Sequence, residues 1–174
     1  VEYVDQMSMF QIKERFPEFI NTYCVYPTII DDGEKLLKIQ DESYDFIIAN
    51  HMLEHCQNFF LTINNHLRVL KPNGLLFYSL PDKRVTFDKH RELTTYEHLK
   101  NEFLFGTTPE SQYEHYYDFL KNVYNIDGDE LNVELKKAME SSLDIHFHVW
   151  DATTLFEHIT FAIDDGLINV EIVE

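Results

Sequence analysis

The sequence predicts an α/β fold on a mostly parallel sheet, and three observations carry that prediction. Phe46-Ile47-Ile48-Ala49 is an unbroken apolar run, and Leu75 to Leu80 is a second run of strand length. Such runs are the pattern of strands buried on both faces. Between them Phe59, Ile63, Leu67 and Leu70 recur at spacings of three and four, which lays one apolar stripe along a helix. Strand, helix, strand in that order is the βαβ unit, whose crossover makes its two strands parallel.

The elements follow in order. Val1-Glu2-Tyr3-Val4 is a short β-like run with Asp5 at its end, and Met9 to Phe19 reads as a helix closed by Pro17. Tyr23 to Ile30 is β-branched and aromatic, so a second strand is expected. Asp31-Asp32-Gly33 is a turn, followed by a short helical piece through Leu37. Tyr44 to Ala49 is the buried strand, and Asn58 can cap the striped helix. Lys71-Pro72-Asn73-Gly74 stops that helix and turns the chain. The strand from Leu75 ends before Pro81. Residues 82–143 are charged and tyrosine-rich, with helices expected near 94–105, 109–125 and 129–141, and read as a helical insertion within a single domain of residues 1–174. Residues 144–150, "DIHFHVW", alternate and predict a short strand or an extended loop. Asp151 can cap a helix through Phe161, and Leu167 to Val173 reads as a final strand.

Composition limits the partners. The formal charge of −17 opposes nucleic-acid backbones and anionic membranes. No window approaches the roughly 20 apolar residues of a membrane span. No basic-then-apolar leader opens the sequence given, so the expected compartment is the cytoplasm, with Cys24 and Cys56 as free thiols. Tyr113, Tyr116 or Tyr117, Leu120 and Tyr124 fall at helical spacing, as a core or homo-oligomer face.

Three segments, "DDGEKL" (31–36), "ESYDFIIANHMLEH" (42–55) and "LRVLKPNGLLFYSLPD" (67–82), resemble the class I S-adenosylmethionine-dependent methyltransferases. The likeness covers most of residues 1–81 and, more loosely, 144–174. Residues 81–99 and "HFHVW" (146–150) are similar to a bacterial subgroup linked to surface-polysaccharide genes. The resemblance implies a Rossmann-like methyltransferase sheet. Asn73 stands where the family has a glycine, and asparagine tolerates the left-handed backbone that this turn requires. The family's Gly-rich turn after its first strand has no counterpart, so Val1–Val4 corresponds to the second strand. The expected sheet is truncated at its N-terminus.

The cofactor implied is S-adenosyl-L-methionine. Its ribose diol suits a carboxylate at a strand's C-terminal end, and the resemblance puts Asp5 there. Asp32 and Gly33 stand at the family's adenine position, with Asp31 as competitor. Asn50 is the first residue past the apolar run and Leu53 is matched to the cofactor's apolar side, so both join the cofactor set. Glu54 and His55 begin the next turn. Methyl transfer needs collinear alignment and exclusion of water, and an oxygen or nitrogen nucleophile also needs a base near neutral pKa. His51, His146 and His148 are the candidates. Asp82, Lys83 and Arg84 follow a strand's end and would hold a small-molecule or glycan acceptor. If Asp5 and Asp32 only cap local turns, they need no ligand. Two further readings stand beside the transferase. One is a non-catalytic module pairing through an exposed sheet edge. The other is a metal-dependent hydrolase using His146 and His148 with His51, His55 or a carboxylate.

Overall fold

A computed structural model of the chain describes residues 1–173. Contacts within the chain define two compact units, Val1–Ile47 with Asn64–Leu76, and Ile48–Ile63 with the chain from Phe77 on.

In the first unit β1 (Val4–Asp5) pairs in parallel with β2 (Ile29–Ile30), Val4 opposite Ile29 and Asp5 opposite Ile30. The strand predicted over 23–30 is thus confined to its last two residues. Pro27 brings no amide to the ladder, and Tyr23 and Tyr26 are exposed. Helix α1 (Met9–Arg15) starts in a capping box in which Ser8 and Gln11 satisfy each other's amides. It ends before Pro17, which opens a separate 3-10 turn over Pro17–Phe19 and does not close one long helix. The helical piece expected through Leu37 is a series of turns. The amides of Lys35 and Leu36 both reach the Asp32 carbonyl, but Leu36 takes φ 49°, which stops propagation. Leu36, Ile39 and Val69 form this unit's small core, with Ile29, Tyr44 and Ile47 against it.

β3 (Tyr44–Asn50) and β4 (Leu70–Ser79) form a second two-stranded sheet. Helix α2 (Phe59–Val69) connects them, and Asn58 Oδ1 accepts the Leu61 amide at its start. Val69 runs straight into β4. The left-handed residue is Asn73, at φ 62°, and Gly74 follows because a Cβ there would lie 2.9 Å from the Lys71 carbonyl oxygen. The prediction that β3 is buried on both faces is corrected. Phe46 and Ile48 are exposed, as are Leu75 and Phe77 of β4, while Tyr44 and Ile47 turn inward to the core. An apolar run fixes strand propensity, but burial on both faces needs a covering layer on each.

In the second unit α3 (Tyr96–Phe105), α4 (Pro109–Asn122), α5 (Gly128–Ser141) and α6 (Ala152–Asp164) have side-chain caps from Thr95, Thr108, Asp127 and Asp151. Tyr116, Phe119 and Leu120 of α4 pack with Leu131, Leu135 and Ala138 of α5 over Ile145 and Phe147. The tyrosine stripe therefore divides: Tyr116 is core, while Tyr113 stacks on Tyr117 and stays exposed. Residues 144–150 form no strand. Their backbone partners change along the segment: the Phe147 amide donates to the Glu54 carbonyl, the Thr94 amide to that of Val149, and the Lys83 amide to that of Trp150. No strand forms over the described part of 167–173 either. Alternation supplies a face there without a partner strand. Among the described residues no helix is long and apolar enough to cross a membrane.

Candidate functional site

In the first unit the parallel β1–β2 pair delivers carboxylates at its carboxyl end. Asp5 Oδ1 accepts the Met7 amide at 2.7 Å, so it makes the local turn contact expected of it, and its second oxygen has no partner among the described residues. The Asp31 amide donates to the Asp5 carbonyl at 3.0 Å, which ties the two strand ends together. Asp31 is consumed by its own loop, accepting from the amides of Asp32 (2.8 Å) and Lys38 (2.7 Å). Asp32 caps the Glu34 amide and pairs with Lys35 Nζ at 2.8 Å. Partial burial opposes ionisation of Asp32, but the hydrogen bonds from Lys35 and the Glu34 amide outweigh it and hold its pKa below the ordinary carboxylate value. The Gly33 carbonyl accepts from His66 Nε2 at 2.8 Å. Of the two aspartates at this turn, Asp32 is therefore the more open to a ligand.

In the second unit Asn50 closes β3 with its side chain exposed. His51 takes φ 49°, and its amide donates to the Ser79 carbonyl at 2.8 Å. That conformation turns an exposed imidazole over Glu54, with Nδ1 3.3 Å from Oε1. Glu54 is fully buried, and the misaligned approach leaves both its oxygens without a hydrogen bond among the described residues. Leu53 is completely enclosed, so in this conformation it offers no surface to a ligand.

Beside Glu54 lie His55 and His146, their rings edge to face at 4.7 Å between centroids. Each imidazole has its own carboxylate: His55 Nδ1 is 2.8 Å from Asp144, and His146 Nδ1 is 2.7 Å from Asp88. Asp88 is also bound by Arg91, whose guanidinium reaches Asp118 and the His146 carbonyl. Burial raises the Asp88 pKa, but the hydrogen bonds from His146 and Arg91 overcome it, and the net shift is downward. The Asp88 contact fixes the orientation of the His146 ring.

His146 and His148, expected to act together, enter different clusters. His148 is fully buried against His98, Glu102 and His115, and burial pushes its pKa down to about 3. Asp82 caps the Arg84 amide and holds the Arg84 guanidinium through three contacts of 2.6–3.1 Å. Those bonds lower its pKa far below the ordinary range. Lys83 Nζ donates to the Arg91 carbonyl and is not a free cation. Sequence reasoning missed Asp88, Arg91, His98, Glu102 and His115. The spacing of His98 and Glu102, four apart on one helix, was the available signal.

A family model for a methyltransferase domain matches residues 5–157. No curated protein and no solved structure matches the chain.

Proposed function

The chain belongs to the methyltransferase-domain family, matched over residues 5–157, and from that premise we propose that it transfers a methyl group from S-adenosylmethionine to a hydroxyl of a small-molecule or carbohydrate acceptor. The observation that carries the cofactor reading is the parallel β1–β2 pair ending in Asp5 and the Asp31-Asp32-Gly33 turn. Ligands of α/β folds sit beyond the carboxyl ends of parallel strands, where an acidic side chain meets a ribose diol. Asp5 offers the ribose an oxygen without a partner among the described residues, and Asp32 accepts from the adenine amine. These residues fit the nucleoside. A Rossmann-like, mostly parallel sheet belongs to the same reading. The cofactor supplies an electrophilic methyl on a cationic sulfur. The chain's own part is to place the acceptor oxygen in line, exclude water and remove the hydroxyl proton.

His51 is the base in this reading. It is exposed, unlike His146 and His148, and a buried carboxylate stands behind its ring. Asp82 and Arg84 offer acceptor and donor groups on one exposed pair, as adjacent sugar hydroxyls require.

Titration calorimetry with S-adenosylhomocysteine tests the cofactor half. Saturable binding is expected, weakened at least about tenfold in Asp5→Asn, which keeps an oxygen for the Met7 amide but removes the charge. Transfer of labelled methyl to a sugar panel tests the other half. His51→Ala should lower kcat about 10²–10⁴-fold with cofactor affinity unchanged. Absence of binding at millimolar ligand overturns the reading and leaves the non-catalytic module.

A further inference from the structure

We propose that His98, Glu102, His115 and His148 form a zinc site that fastens helices α3 and α4 to the extended segment 144–150. The inference does not rest on the methyltransferase reading and uses none of the residues assigned to the cofactor.

The four side chains come from three separate segments. His98 and Glu102 lie one helical turn apart on α3, His115 lies on α4, and His148 lies in the extended segment. Their donor atoms all fall within 4.8 Å of one another. Glu102 Oε1 is 3.0 Å from His115 Nε2 and 3.3 Å from His98 Nε2, and those two nitrogens are 3.2 Å apart. His148 Nε2 is 3.5 Å from Glu102 Oε2. Zinc bonds of about 2.0–2.2 Å at tetrahedral angles set donor atoms about 3.3–3.6 Å apart. The separations of 3.0–3.5 Å lie near that value and the remaining pairs fall within 4.8 Å, so small side-chain adjustments bring all four groups onto one ion.

Protons alone satisfy this arrangement poorly. Glu102 Oε1 faces two imidazole nitrogens and the Ser111 hydroxyl, while Oε2 and His148 Nε2 have no hydrogen bond among the described residues. If His98 and His115 both carry a proton on Nε2, the two protons crowd one oxygen. If only one does, the other ring directs a lone pair into the cluster. A bare divalent cation accepts lone pairs from all four groups at once. Three imidazoles and one carboxylate are a donor set suited to zinc, and too nitrogen-rich for magnesium or calcium. The surroundings hold the ligands in place. The Asn58 side-chain Nδ2 donates to the Glu102 backbone carbonyl at 2.6 Å, and Phe59 and Phe147 pack on the rings of His148 and His115. His98 and His115 also line an open cleft with Thr94, Glu114 and Asp118, which gives an ion a route in.

Elemental analysis of the full chain, purified without chelator or affinity metal, tests the site. One equivalent of zinc is expected. Chelation should remove it and lower Tm, and one equivalent of zinc should restore Tm. Cobalt(II) added to the stripped protein should give the intense visible bands of a tetrahedral centre. If stripping unfolds the protein, release of one equivalent with unfolding supports the site equally. His98→Ala, at the least buried ligand, should weaken cobalt binding at least about tenfold, and Glu102→Gln likewise. The proposal is overturned if the purified chain holds no stoichiometric metal and takes up none, or if both variants bind cobalt as the parent does.

Discussion

His66 shows what burial of one side chain does to pH dependence. It sits on α2 with almost no exposed surface, and its Nε2–H donates to the Gly33 carbonyl at 2.8 Å. Burial depresses its pKa, and the hydrogen bond to Gly33 only partly offsets this. The folded chain therefore binds the proton less readily than the unfolded chain, whose histidine titrates near the ordinary value of about 6.5. Below that pH the unfolded state holds more protons, so stability falls on acidification. The contribution of His66 is fully present above about pH 6.5 and is lost as pH falls through its lower folded value. His158 is shifted the same way by burial, so the slope has more than one source. The urea midpoint measured from pH 7.5 to 5.5 should fall less steeply in His66→Gln than in the parent. Equal slopes would remove His66 from the account.

At the scale of elements, the first half of β4 depends on two residues whose backbones differ in kind. Asn73 is left-handed at φ 62°, and glycine in its place should be neutral or stabilising by up to about 1 kcal/mol. Gly74 is constrained by proximity. A methyl there meets the Lys71 carbonyl oxygen at 2.9 Å and that of Asp45 at 3.2 Å. Gly74→Ala should cost about 1–3 kcal/mol, read as a lower denaturation midpoint at unchanged m. A change below a few tenths of a kcal/mol would mean that the turn gives way freely. These local features were legible in the sequence because their causes are local: the Asn-Gly pair, the Asn58 and Asp151 caps, and the helices α3 to α5. The failures share one cause. Residues 23–27, 144–150 and 167–173 have strand-like composition, but a strand also needs a partner edge, and composition does not name one. Likewise Phe46 and Ile48 are apolar without being covered.

For the whole molecule, carboxylates at strand ends were legible because adjacency in sequence places them, as for Asp5 and for Asp32 beside Gly33. The buried polar clusters were not, since His98, His115 and His148 meet only after three segments fold together. Net charge is legible outright, and its consequence reaches the entire chain. Thirty-one acidic residues against fourteen Lys and Arg leave −17, and like charges repel more strongly in the compact state. Exposed pairs such as Lys71–Asp45 and Arg84–Asp82 work against this, but exposed pairs contribute little and are themselves weakened by salt. With acids outnumbering bases by about two to one, screening removes more repulsion than attraction. The Debye length shrinks from about 30 Å at 0.01 M to about 10 Å at 0.1 M, so most of the relief arrives within that range. Tm should rise by a few degrees between 10 and 150 mM potassium chloride and then level off. A melting temperature that stays flat or falls across that range would mean that specific ion pairs outweigh the net repulsion.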